Sequence, residues 1–219
     1  MKIILASLHS IGVAFAFCLS AGLAQAQPST NQPAVKSWSN DPRVQSRSYV
    51  FTNTGETLPY AVFVSTKVAK DKPAPLIVAL RGFGGNPGSL MWGPALKLAE
   101  EGGYVMVAPM GYNSGGNFGN PTTGMGAFGR RNGASTNALG TNQPPRNPDA
   151  DAERSKISEY SEQDVMNVLA IIRKDLNIDD RRIFLMGHSQ GGAGALHIAD
   201  KYSSIFAGVA GLSPGAPGY

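Results

Sequence analysis

The chain has 219 residues, of which 42% are hydrophobic and only 16% charged. That is too apolar for a disordered chain and long enough for one domain with a substantial core. Its 19 basic and 15 acidic residues leave a net charge of +4, but Arg130-Arg131, Arg173-Lys174 and Arg181-Arg182 are the only adjacent basic pairs. The basic block expected of a nucleic-acid partner is therefore excluded.

Residues 1–26 read as a secretory signal peptide. Lys2 supplies the positive start, residues 3–19 are largely apolar, and Ala24-Gln25-Ala26 is an A-x-A cleavage signal. Cleavage before Gln27 would leave a secreted or periplasmic protein. No later segment reaches the roughly 20 apolar residues of a membrane span, so no stable span is expected after cleavage. The single cysteine, Cys18, falls in the signal, so neither disulfide nor thiol chemistry is expected of the domain. Residues 27–46 are rich in Ser, Asn, Gln and Pro and read as a flexible lead-in. The folded domain is expected over 47–219.

Ser48-Tyr49-Val50-Phe51 and residues 58–64 flank Asn53-Thr54-Gly55-Glu56, an antiparallel hairpin signal. Pro75-Leu76-Ile77-Val78-Ala79-Leu80 is apolar without alternation, as at the centre of a parallel sheet. A Gly-rich turn follows over residues 81–88. A helix then starts near Pro94, which only a first turn tolerates, and carries Leu96 and Leu98 as apolar positions. Gly102-Gly103 stops it. Tyr104-Val105-Met106-Val107-Ala108 is a second buried strand, ended by Pro109.

Residues 110–160 have many Gly, Asn, Pro and Ser and no convincing period. A loop this long after a strand C-terminus reads as a substrate-side wall or lid, or as a surface excursion. Ser161-Glu162-Gln163-Asp164 has the form of a capping box and opens a helix with Val165, Val168, Leu169, Ile172 and Leu176 at helical spacing. Asp179-Asp180 reads as a solvated turn. Arg182-Ile183-Phe184-Leu185-Met186 is the next strand, residues 191–201 a helix of small and apolar residues, and residues 206–212 the last strand. Alternating strands and helices predict an α/β fold: a mostly parallel central sheet, helices on both faces and an N-terminal antiparallel hairpin.

Between the fifth strand and its helix stands Gly187-His188-Ser189-Gln190-Gly191, which fits G-x-S-x-G. Strand, tight turn and helix is the context of a nucleophile elbow. Serine needs a base within hydrogen-bond reach and donors for the developing oxyanion. The elbow would hold the Ser189 hydroxyl clear of the backbone, with Gly187 and Gly191 avoiding clashes and Gly192 and Gly194 allowing close helix–sheet approach. The backbone N–H of Gln190 should donate to the oxyanion near a helix N-terminus. The second donor should come from Arg81-Gly82-Phe83-Gly84-Gly85, with Phe83 N–H the first choice and Gly84 the second. His188 reads as an orienting residue, because adjacent side chains on a tight turn diverge.

Arg81-Gly82-Phe83-Gly84-Gly85-Asn86-Pro87, Leu98-Ala99-Glu100-Glu101-Gly102-Gly103-Tyr104 and the elbow resemble secreted α/β-hydrolase serine esterases. The nearest groups are the polyhydroxyalkanoate depolymerases and feruloyl esterases, and the prolyl-oligopeptidase-like carboxylesterases. The resemblance covers about residues 47–215. It implies hydrolysis of small or polymeric carboxylic esters through an acyl-enzyme on Ser189, with a Ser-His-Asp triad and no cofactor. The alternatives are a prolyl-oligopeptidase-like peptidase, or a non-catalytic remnant that binds ligands at the same crevice.

Two departures stand out. The family usually has His-Gly where this chain has Arg81-Gly82, although that histidine is not the catalytic one. The triad order in this fold is Ser, then Asp or Glu, then His, and after Ser189 the only acid is Asp200 and the only histidine His197. Both fall in the helix after the elbow. His197 would lie roughly 12 Å along that helix from the serine and reads as a packing residue. The two β-α units that would carry acid and base, about 60 residues, are expected to be missing at the C-terminal side, which leaves an apolar edge strand.

Metal and nucleotide chemistry find no support. There is no H-E-x-x-H motif and no paired-histidine spacing. Gly82-Phe83-Gly84-Gly85-Asn86-Pro87-Gly88 lacks the Gly-Lys-Ser/Thr ending of a phosphate loop. Asp149, Asp151 and Glu153 alternate like a calcium loop, but Arg154 and Tyr160 break the pattern.

Overall fold

The computed structural model describes residues 37–120 and 148–214. The expected signal peptide and the lead-in as far as residue 36 lie outside the described residues. The apolar runs form one six-stranded sheet in the order β1-β2-β4-β3-β5-β6. Its strands are β1 (Gln45–Val50), β2 (Thr57–Val64), β3 (Ala74–Leu80), β4 (Val105–Pro109), β5 (Ile178–His188) and β6 (Gly208–Leu212). The hairpin β1–β2 is antiparallel, and β2 pairs antiparallel with β4. The pairs β3–β4, β3–β5 and β5–β6 are parallel. The sheet thus has the mixed architecture expected, with an antiparallel hairpin leading a parallel centre.

Three helices complete the described fold: α1 (Gly93–Gly102), α2 (Pro148–Asp175) and α3 (Gln190–Lys201). On one face Val165, Val168, Leu169 and Ile172 of α2, with Ala195 and Ile198 of α3, pack on Leu76, Val78, Leu80, Val105, Val107, Ile183 and Leu185. On the other face Leu96 and Ala99 of α1 pack with Phe63, Ala79, Met91 and Met106. Alternate residues of the unalternating strands β3 and β4 therefore serve opposite cores, which is why both faces had to be apolar.

Several elements differ from the sequence reading. The helix expected to open at Ser161 starts at Pro148 and runs through the capping-box residues. Those side chains make tertiary contacts instead, since Ser161 Oγ accepts the N–H of Phe118 at 2.8 Å. The end of the expected 110–160 loop is changed accordingly: residues 148–160 are helical, and residues 121–147 lie outside the described residues. Asp179-Asp180 belongs to β5 and not to a turn, since Ala74 pairs with Ile178 across an irregularity in the β3–β5 ladder. In α1 Leu96 is buried but Leu98 is exposed, because the face toward the sheet is set by Leu96 and Ala99, three residues apart. Pro94 in the first turn and left-handed Gly103 at the C-cap stand as expected.

At the N-terminal side, β1 begins at Gln45, inside the expected lead-in. Val44 is buried, and Ser39 Oγ donates to the Met91 carbonyl at 3.0 Å. The apolar residues Trp38 and Val44 give this end of the lead-in a place in the second core. At the other side β6 is an edge strand with Val209 and Leu212 exposed.

Leu169 is 1% exposed at the centre of the larger core. Leu169→Ala should destabilise the domain by about 2–5 kcal/mol, read as a lower urea midpoint at unchanged slope.

Candidate functional site

The site is built by register. Leu80, the last residue of β3, pairs with Gly187, so β3 and β5 end level. The chain passes from β3 to β4 on one side of the sheet and later returns to β5 on the other. The carboxyl ends of β3 and β5 therefore flank the switch point at which open α/β sheets bind ligands. The turn at residues 81–85 leaves one strand there and the elbow leaves the other. An ideal Cβ on Gly82 would stand 3.6 Å from Ser189 Cβ and 3.3 Å from His188 Nδ1. The two segments singled out from the sequence are in contact.

Ser189 has φ 54° and ψ −119°, a backbone conformation strained for a residue with a side chain. Close packing enforces it. A Cβ on Gly187 would lie 2.0 Å from the Gly191 carbonyl oxygen, and one on Gly191 would lie 2.3 Å from the carbonyl oxygens of Leu80 and Arg81. The Ser189 N–H donates to the Leu212 carbonyl at 2.8 Å, which ties the bend to β6. Ser189 is half-buried, and among the described residues no side chain hydrogen-bonds its hydroxyl.

The two expected oxyanion donors can be sorted by their partners. Gly84 N–H already donates to the Ser114 carbonyl at 3.0 Å, so it is the engaged one of the two candidates on the turn. Phe83 N–H has no acceptor among the described residues, and its ring is exposed at the rim. Gln190 opens α3, so its N–H is one of the first-turn groups without an intrahelical acceptor. Of the helix glycines, Gly192 would bring a Cβ to 3.1 Å from the Gly187 and Leu212 carbonyls, as expected of a close approach to the sheet. Gly194 instead makes room for Phe118, whose Cβ would be 2.6 Å away. The sequence reading missed this because Phe118 comes from the distant loop.

Arg81 is the largest fully buried side chain, 1% exposed. Its Nε donates to the Met110 carbonyl at 2.8 Å, Nη1 to the Gly82 carbonyl at 3.1 Å and to Gln190 Oε1 at 3.4 Å. Nη2 donates to the carbonyls of Asn113 and, at 3.2 Å, Gly116. The guanidinium also lies 5.1 Å from the centroid of the Phe118 ring. Burial lowers its pKa to about 10, with Asp164 acting in the opposite sense, so the group stays charged at neutral pH. Asp164, fully buried on α2, accepts from Tyr49 Oη at 2.6 Å and from the Gly111 and Tyr112 N–H groups at 2.6 and 3.3 Å. Burial pushes its carboxyl up, against the pull of those donors. Residues 110–116 are thus clamped between Arg81 and α2, beside the turn at residues 81–85.

The two described histidines do different things. His188 is exposed and lies against Gly82. His197 Nε2 lies 3.3 Å from Glu162 Oε2, and the other Glu162 oxygen accepts from Lys201 Nζ at 2.7 Å and Tyr202 Oη at 2.6 Å. His197 is therefore engaged between α2 and α3, in keeping with a packing role. Among the described residues no group of His, Cys, Asp and Glu is placed to hold a metal ion.

A family profile described as "Putative esterase" matches residues 57–217, most of the chain and the whole of the site. The chain belongs to this esterase family. A search of curated protein sequences finds no match. Among solved structures it is similar to a ferulic acid esterase of the anaerobic fungus Anaeromyces mucronatus, with TM-score 0.53 and 16% identity over 78% of this chain and 58% of that one. It is also similar to S-formylglutathione hydrolases of Agrobacterium tumefaciens, with TM-score 0.52, 21% identity and coverage of 78% and 57%, and of Staphylococcus aureus, with 0.50, 15%, 78% and 57%. At these identities the likeness shows the fold, which is that of the α/β-hydrolases. The esterase-family chain spans less than two thirds of the length of these proteins.

Two measurements probe the packing around the site. Gly191→Ala would press a methyl group onto two backbone carbonyls, and it should cost at least about 1–3 kcal/mol, seen as a lower thermal midpoint. For Glu162, burial raises the pKa, but Lys201, Tyr202 and His197 outweigh it and hold it below the usual 4.5. A lowered folded pKa means that its stabilisation is complete above the unfolded value and disappears as pH falls through the folded one. Glu162→Gln should therefore lower the midpoint at about pH 7, and the gap from wild type should close as pH falls below the ordinary carboxylate range.

Proposed function

We propose that the chain carries the nucleophile and oxyanion site of a serine hydrolase that cleaves carboxylic esters. The observation that carries this reading is Ser189 at positive φ, its hydroxyl without a side-chain partner among the described residues, packed against the turn that carries Phe83. In the reaction Ser189 Oγ attacks the ester carbonyl carbon as its proton passes to a base. The carbonyl π electrons move onto oxygen, and the N–H groups of Phe83 and Gln190 stabilise that charge. Collapse of the intermediate expels the alcohol, with the proton returned to it, and leaves an acyl group on Ser189. Water then adds to the acyl-enzyme and releases the acid.

The base must lie within hydrogen-bond reach of Oγ. His197 is held by Glu162, and the exposed His188 is the residue adjacent to the nucleophile, so neither is assigned as the base. The described residues supply the nucleophile and the donors, and the acid–base pair of the triad is the part they do not supply. An oxyanion site with its serine but without a base retains residual reactivity, orders of magnitude below that of a full triad.

A fluorophosphonate probe tests the nucleophile directly, since its phosphoryl oxygen occupies the oxyanion position. The purified full chain should be labelled on Ser189, slowly by the standard of complete triads, and Ser189→Ala should abolish labelling. Labelling of the Ser189→Ala variant at the wild-type rate, or none of a folded wild type at millimolar probe, would remove the assignment.

A further inference from the structure

We propose that Arg81 is a positioning residue for both oxyanion donors, setting the direction of the Phe83 N–H and the place of Gln190 from inside the protein. The inference rests on the reading of Ser189 as nucleophile. In a trans peptide the carbonyl and the N–H lie in one plane and point in opposite directions, and the described chain has no cis peptide. The Gly82 carbonyl and the Phe83 N–H are the two ends of one such unit. The carbonyl is taken by Arg81 Nη1 at 3.1 Å and by the Gly85 N–H, also at 3.1 Å. With that end fixed on the buried cation and on the turn, the Phe83 N–H must point the other way, out of the protein interior. The Ser189 Cβ borders Gly82 in the same crevice.

The second donor is reached from the same atom. Arg81 Nη1 is 3.4 Å from Gln190 Oε1, and Gln190 is 2% exposed, so its side chain is held at the foot of α3 while its N–H stays free. The remaining donors of the guanidinium hold the carbonyls of Met110, Asn113 and Gly116. No carboxylate forms a direct ion pair with Arg81 among the described residues. A planar fork with five N–H groups is spread over three chain segments. Lysine has the charge but only three donors on one nitrogen, so it cannot hold the Gly82 carbonyl, Gln190 and the 110–116 loop together.

A merely structural Arg81 would affect stability and leave the chemistry at Ser189 alone. The test compares the full-length wild type with Arg81→Lys and Arg81→Met. Phosphonylation of Ser189 by a fluorophosphonate is resolved into binding (KI) and maximal rate (kinact), and the amide resonances of Phe83 and Gln190 are recorded on the same samples. The expected result is a folded Arg81→Lys with KI within about twofold of wild type and kinact at least about tenfold lower, since an oxyanion donor is worth about 10²–10³ in rate. Both amide resonances should be displaced. An unchanged kinact in folded Arg81→Lys overturns the inference, and if Arg81→Met does not fold the lysine variant decides alone. If the wild type itself does not react, the reading of Ser189 falls. The amide resonances then test Arg81 on geometry alone: displacement of both supports it as the anchor that places the two N–H groups, and unchanged positions overturn it.

Discussion

A charge enclosed in protein loses its hydration, at a cost of several kcal/mol unless polar groups replace the water. Arg81 meets this requirement with backbone carbonyls, and the arrangement has a second layer. The Met110–Gly111 peptide accepts from Arg81 at its carbonyl end and donates to Asp164 at its N–H end. The cation and the buried carboxylate are therefore joined through one peptide dipole, with no direct contact between them. Each charge accounts for the other. Burial alone would push the pKa of Arg81 down and that of Asp164 up, and each opposes the shift of its counterpart. Four segments are bound into this unit: the turn after β3, the loop after β4, α2 through Asp164, and the foot of α3 through Gln190.

The strained bend at Ser189 is held by contacts of its own. Sparsely populated backbone conformations cost about 1–3 kcal/mol and persist only where the surroundings over-determine them. Here the surroundings are the level ends of β3 and β5, the Gly187–Gly191 contact, and the Leu212 carbonyl that holds the Ser189 N–H. In this conformation the Ser189 hydroxyl has no side-chain hydrogen-bond partner among the described residues. Donors fixed in advance need no reorganisation when charge develops on the substrate oxygen, which is where most of the electrostatic advantage of such sites lies.

The sequence carried a good deal of this. Unalternating apolar runs marked β3 and β4, the 3.6-residue spacing from Val165 to Ile172 marked the buried stripe of α2, and G-x-S-x-G after an apolar strand marked the elbow. The boundaries were less legible. Ser161 and Asp164 have the residue types of a helix cap, but in the fold their side chains satisfy backbone N–H groups of the loop at residues 111–118. A cap and a tertiary acceptor use the same chemistry, so residue type could not tell them apart. Gly194 was read as a helix–sheet contact for a similar reason. A small residue announces a close approach without naming what approaches.

The sequence by itself determined the fold class, the candidate nucleophile and the two candidate donor segments. These follow from local pattern: the period of apolar residues, and glycines that only a sharp bend requires. Only the tertiary structure decided that the Gly84 N–H is engaged while the Phe83 N–H has no acceptor among the described residues, that His197 is committed to Glu162, and that Arg81 is buried as an internal anchor. Each of those depends on which backbone carbonyl or carboxylate lies opposite, and backbone groups are chemically the same at every position. Their placement is fixed by the register of β3 against β5 and by the packing of a loop 30 residues further along the chain, roughly the length of a whole β-α unit.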